Sequence, residues 1–207
     1  VYNINSSLSY SMPARFLKGS IEFSSNTGLF KTKQFINTVG NDIKTFSVGP
    51  ELRLDMNPTD KLSLGVSAGF NYTKTKYSLQ SALNTNYLSQ EYNASLDWEM
   101  PNGFFFSTDF MYTVNSQRAA GFNTKVPLWN AGISKQLLNF NRGELKFAAR
   151  DLLNKTVGIS RNTNNNYIED SRVLTLRQFF LLSFTYSLSK TGLTRSGGGG
   201  AIRTMMR

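Results

Sequence analysis

Leu62-Ser63-Leu64-Gly65-Val66-Ser67-Ala68-Gly69-Phe70-Asn71-Tyr72-Thr73 alternates without a break. Its even positions are apolar or aromatic and its odd positions are Ser, Gly, Asn or Thr. Successive side chains of a β-strand point to opposite faces, so the stretch makes one apolar face and one small, polar face. The preceding segment repeats the pattern, with Phe46, Val48, Pro50, Leu52, Leu54 and Met56 set against Ser47, Gly49, Glu51, Arg53 and Asp55. Near residue 1, Tyr2, Ile4, Leu8, Tyr10 and Met12 oppose Asn3, Asn5, Ser7, Ser9 and Ser11. Pro50 has no ladder donor and is expected where that bond is dispensable.

Extending the count along the chain predicts nine antiparallel strands, near 2–12, 17–30, 45–56, 62–75, 87–100, 104–115, 127–138, 144–152 and 173–189. The sixth and seventh are less clean, because Phe105, Met111 and Leu128 fall on the polar side. The connections alternate in length. Short turns rich in Pro, Gly and Asn lie near 12–15, 57–61, 101–103 and 139–143, and longer polar stretches at 31–44, 76–86, 116–126 and 153–172. Bacterial outer-membrane barrels combine tight periplasmic turns with long extracellular loops in this order. A soluble barrel would also alternate, with its apolar face turned inward. Lipid is favoured by the Ser/Gly/Asn/Thr polar face with Glu91, Asp97, Glu99 and Arg177 scattered on it, and by aromatics near strand ends. Trp98, Phe104, Phe106, Tyr10 and Tyr186 are expected to form a membrane-interface girdle.

The longest strictly apolar run is Phe179-Phe180-Leu181-Leu182. A transmembrane helix needs about 20 apolar residues, so only a barrel would carry this chain across a bilayer. The sequence has no Cys and no His. Disulfides and thiolate zinc sites are excluded, and so are the commonest general base and metal ligand. The net charge of +10 raises nucleic-acid binding, but the cations are spread over loops and a tail instead of one groove or element, and no nucleic-acid partner is expected.

Nine antiparallel strands do not close neatly, since single-chain bacterial barrels hold an even number. By the order of the turns, residue 1 is expected on the extracellular side, with an odd number of strands preceding it. Residues 1–189 are thus expected to be the C-terminal part of a larger transmembrane barrel, and 190–207 a Gly-rich, basic, disordered periplasmic tail.

The last third of the chain carries a resemblance. Its residues are Trp129-Asn130-Ala131-Gly132-Ile133-Ser134-Lys135, then Ala149-Arg150-Asp151-Leu152-Leu153-Asn154-Lys155, then Leu176-Arg177-Gln178-Phe179-Phe180-Leu181-Leu182-Ser183-Phe184-Thr185-Tyr186. These segments, with the tail around Gly197–Gly200, resemble the outer-membrane β-barrel family of Bacteroidota related to TonB-dependent receptors. The likeness is close over 127–190 and generic before it. It implies a barrel typically of about 22 strands with an N-terminal plug and TonB box that this chain lacks. It also implies import of bulky nutrients or metal chelates. A non-transporting barrel with a structural or envelope-assembly role is the alternative. The partners implied are outer-membrane lipid and lipopolysaccharide, the barrel-assembly machinery during biogenesis, TonB through the missing region, and surface lipoproteins or other envelope proteins.

No catalytic, cofactor or metal residue is nominated, and the protein is not expected to be an enzyme. Asp151 and Asn154 are read as turn formers ending a strand. Asn162-Thr163-Asn164-Asn165-Asn166, with only Glu169 and Asp170 nearby, offers fewer carboxylates than calcium usually takes. The basic residues in or beside the long connections are Lys31, Lys33, Lys44, Lys74, Lys76, Arg118, Lys125, Lys155, Arg161 and Arg172, facing only Asp42, Glu169 and Asp170. Among these, Lys31, Lys33, Lys74, Lys76, Arg118, Lys125 and Arg161 are the candidates for lipopolysaccharide or anion contact.

Overall fold

The computed structural model describes residues 1–36, 38–79, 81–116, 124–156, 158–163, 168–173 and 176–188. Nine strands form one antiparallel sheet: β1 (Tyr2–Ala14), β2 (Gly19–Ile36), β3 (Val39–Thr59), β4 (Leu62–Tyr77), β5 (Thr85–Met100), β6 (Phe104–Ser116), β7 (Thr124–Leu137), β8 (Gly143–Arg150) and β11 (Phe179–Tyr186). Two further strands, β9 (Gly158–Thr163) and β10 (Ile168–Val173), pair only with each other. Every neighbour in the large sheet is the next strand in sequence, except that β11 joins β8 across the β9–β10 hairpin. The sheet is open: β1 and β11 each pair on one side only.

Three expected boundaries need correction. The stretch 31–44 is not an irregular loop. The β2–β3 ladder continues to Ile36↔Val39, so this connection is a two-stranded arm. Polar residues extend the ladder there because cross-strand hydrogen bonding, unlike a lipid-facing surface, makes no demand on side-chain polarity. The 153–172 connection contains the β9–β10 hairpin. The last strand, expected at 173–189, is shorter, because Val173 pairs with Gly158 and Phe179 begins the pairing with β8. The expected tail, 190–207, lies outside the described residues.

The turns at the opposite end are tight, and those after β1, β5 and β7 use left-handed backbone. Arg15–Leu17 makes a single 3-10 turn ended by Lys18 at φ 48°. Asn102 and Gly103 carry φ 62° and 73°, a conformation that Asn and Gly tolerate. A Cβ on Gly19 would fall on the carbonyl oxygen of Asp55, so glycine is required where β2 leaves the first turn. Pro50 behaves as its chemistry demands. The β3–β4 pairing lapses at Gly49 and Pro50 and resumes in the same register at Glu51↔Gly69.

Following one row perpendicular to the strands reveals a stagger. Gly19 pairs with Met56, and the row continues through Leu64, Leu96, Thr108, Ala131 and Ala149. It begins at the first residue of β2 and reaches β8 at the seventh, six past Gly143. A climb of six residues over six strands is about 20 Å in about 29 Å, a strand tilt of roughly 35° to the barrel axis. Transmembrane barrels tilt by about 35–45°.

The register also makes each face continuous. One side carries Leu8, Tyr10, Phe23, Phe46, Leu52, Val66, Phe70, Trp98, Phe110, Trp129, Ile133, Phe147, Leu182 and Phe184, all exposed. Phe70 meets Tyr92 edge-on at 6.0 Å, Tyr92 stacks on Tyr112 at 6.4 Å, and Phe147 stacks on Phe180 at 6.0 Å. In water such a face would drive association; against acyl chains it is matched to its solvent. Among the described residues the fully buried hydrophobic set is correspondingly small: Ala14, Ile43, Tyr77 and Ala149.

The faces generate a test. Leu52 points outward near mid-strand and its neighbour Glu51 points inward. Leu52→Arg is expected to lower the folding free energy in lipid vesicles by about 2–4 kcal/mol, as for Arg near a bilayer midplane. Glu51→Gln is expected to change it by less than about 0.5 kcal/mol. Urea titration followed by tryptophan fluorescence measures both, and equal effects would reverse or cancel the assignment of faces.

Candidate functional site: the inner wall and the outer rim

Alternation places two chemistries on opposite sides of one sheet. The inner side is lined by Ser, Gly and Asn, whose short side chains leave a hollow of ≈ 790 Å³ over β1–β5. Its lining includes Asn5, Asn26, Ser47, Glu51, Asn71 and Glu91. The polar groups are cross-linked. Asn93 Nδ2 donates to Ser67 Oγ at 3.2 Å and to Glu91 Oε1 at 2.9 Å, and Ser89 Oγ donates to Asn115 Oδ1 at 2.9 Å. Arg53 binds Asp55 through two contacts of 2.8 and 3.2 Å. By register, Glu22, Glu51, Asp55, Glu91, Asp97, Glu99 and Asp109 share this side with Arg53 as the single cation on β2–β6 among the described residues. The sequence suggested part of this set, in Glu91, Asp97 and Glu99. That the carboxylates form one wall depends on the register. Phe105 sits on the same side, opposite Glu99 and Ser134.

A polar relay runs from the middle of β6 across β7 to the outer end of β8. Asn130 Nδ2 donates to Asp109 Oδ2 at 2.7 Å, and the Asp151 N–H donates to Asn130 Oδ1 at 2.9 Å. Buried Asp151 then accepts from the N–H groups of Lys155 and Thr156, each at 2.9 Å. Asp151 and Asn154 adopt φ 49° and 52°, which suits Asp and Asn better than other side chains. Their role as turn formers follows from this geometry. Among the described residues, no group of His, Cys, Asp or Glu is arranged to hold a metal.

The expected girdle residues lie on the outward face at the tight-turn end. Trp98 pairs with Phe106, Tyr10 pairs with Phe23, Lys135 lies over the Phe104 ring at 4.5 Å, and Arg142 over Tyr186 at 5.8 Å. The expected anion-contact lysines gather at the opposite end. Lys31 pairs across the ladder with Lys44, Lys44 pairs with Lys76, and Lys74 stands beside Phe46. Lys33 lies 5.7 Å above the Phe35 ring. Lys125 is on β7, away from this group. Arg118 lies outside the described residues, and Arg161 is placed only as a member of β9. Asp42 is bonded to Lys31 at 2.8 Å. That hydrogen bond, with the charges of Lys31, Lys33 and Lys44, holds the Asp42 carboxyl below its usual range despite partial desolvation, and it raises Lys31.

With this geometry in place, comparison with known families is informative. A model described as "Outer membrane protein beta-barrel family" matches residues 1–186, ending on the last residue of β11. The chain belongs to that family. Its location is therefore the outer membrane. No curated protein and no solved structure matches it.

Two outcomes follow. Asp151→Asn keeps a side chain that tolerates left-handed backbone but loses one carboxylate acceptor. Trypsin cleavage after Lys155 is expected to quicken by roughly tenfold, the size expected for a lost hydrogen bond to a charged group. An unchanged rate would remove the capping role. Asp42, whose folded value is depressed, stabilises the arm above the ordinary carboxylate pKa, and the effect is lost as pH falls through its folded value. Carboxyl NMR is expected to find Asp42 titrating below the ordinary value, and Lys31→Gln is expected to move it partway back.

Proposed function

We propose that this sheet is a wall segment of a larger outer-membrane barrel resembling the TonB-dependent receptors of Bacteroidota, which takes in bulky nutrients or metal chelates. The observation that supports the reading is the inner wall. Small, cross-linked polar side chains leave room there for a plug domain or water, while the reverse face suits lipid. Both open edges need partner strands, because an unpaired ladder in a bilayer leaves backbone groups without hydrogen bonds. The barrel is not an enzyme on this reading, since the chain contains no His to act as a general base. Energy would arrive through TonB contacts made outside this chain, and the barrel-assembly machinery would insert it.

The test uses the complete gene product in its own cell. Deleting the gene is expected to abolish accumulation of at least one bulky solute that general porins exclude, and a protonophore is expected to do the same in wild-type cells. Uptake that persists in the deletion strain for every solute tried, together with stable co-purification of envelope proteins, would instead assign a scaffold role.

A further inference from the structure

The lysines of the outer rim are arranged by height and by face. Lys31, Lys74 and Lys125 each stand twelve residues from the tight-turn end of their strand, at Gly19, Leu62 and Leu137 respectively. Twelve residues of strand at the observed tilt rise about 32 Å, just past an apolar band about 25 Å tall. Cross-strand pairing puts Lys31, Lys44 and Lys76 abreast on three neighbouring strands, on the outward face. The row beneath them is Leu29, Phe46 and Lys74, and the one below that holds Val48 and Tyr72, with Phe46 and Tyr72 in ring contact at 6.5 Å.

Like charges placed directly opposite on a sheet destabilise it. Here three stand in a row with Lys33 and Lys74 alongside, and Asp42 is the one carboxylate on this face of β2–β4. The carboxylates of the inner wall cannot offset them, since they point to the other side of the sheet. A row of cations directly above an apolar, aromatic surface matches an amphiphile whose acyl chains lie below and whose phosphates lie above. We propose that the outward face of β2–β4 is a binding site for a phosphorylated glycolipid of the outer leaflet, with Lys44, Lys74 and Lys76 contacting its phosphates and Leu29, Phe46 and Tyr72 its acyl chains.

The orientation, with the tight turns in the periplasm, is shared with the proposed function; the cargo is not. The complete gene product folded in detergent micelles is to be mixed with vesicles of bisphosphorylated lipid A, dephosphorylated lipid A or phosphatidylglycerol, each in neutral carrier lipid. Strong, salt-sensitive retention is expected on the first only. Lys44→Gln/Lys74→Gln/Lys76→Gln is expected to weaken it on the order of a hundredfold, each lysine near an anionic surface contributing about fivefold. Asp42→Asn is expected to strengthen it. Should the triple variant not fold, acetylation of the wild-type chain tests the same contacts: lipid A is expected to protect Lys44, Lys74 and Lys76 and leave Lys146 unchanged. Equal retention on phosphatidylglycerol would reduce the site to non-specific charge, and full displacement by millimolar inorganic phosphate would reassign it to free anion. Undiminished binding by a folded triple variant, or absence of lysine protection, would overturn the site.

Discussion

The constraint on which everything else depends is that a backbone N–H or C=O in a bilayer has no water to turn to. It explains why a chain with so many exposed aromatic and aliphatic side chains forms one nine-stranded ladder, each strand bonded to its neighbours. It also explains the choices made at the exceptions. Pro50 cannot donate, and the ladder around it lapses for two residues and recovers without losing register. At the last turn Leu138, Phe140 and Asn141 all adopt positive φ, a strain tolerated where the chain must reverse between β7 and β8 within five residues.

Once the ladder is continuous, side-chain chemistry is sorted by parity alone. The wall separates charge: carboxylates collect on its inner side over β2–β6, and lysines on its outer side above the apolar band. The net charge of +10 conceals this, because it sums two surfaces that do not see each other. On the inner side Asp55, Glu91 and Asp109 are engaged locally, by Arg53 and by the amides of Asn93 and Asn130. On the outer side a salt bridge joins Lys31 to Asp42.

The strands through the bilayer were legible in the sequence because lipid on one side and polar groups on the other impose a strict period of two, as in Leu62–Thr73. Outside the bilayer that pressure ends, and so does legibility. The arm over 31–44 and the β9–β10 pair form by backbone pairing in which residues such as Phe35 and Ile43 stand among polar ones, which leaves no clean alternation to read. The rim lysines were visible as types but not as an array. Lys31, Lys44 and Lys76 are 13 and 32 positions apart in sequence, and only the register puts them abreast. Asp151 was readable as a strand end, through its resemblance to a family segment and its taste for left-handed backbone. Its bonds to Asn130, Lys155 and Thr156 were not.

The stagger of about one residue per strand has a consequence for how such a wall can change over evolutionary time. Dropping one residue from β4 would turn every later side chain of that strand inside out, placing Asn71 in lipid and Phe70 in the interior. Dropping two would only lower the strand's outer end. Viable length variation should therefore come in pairs within strands, or as whole hairpins that add two strands and restore the same slope. The outer arms, which no longer face lipid, are free of this arithmetic and are where odd-numbered insertions can accumulate.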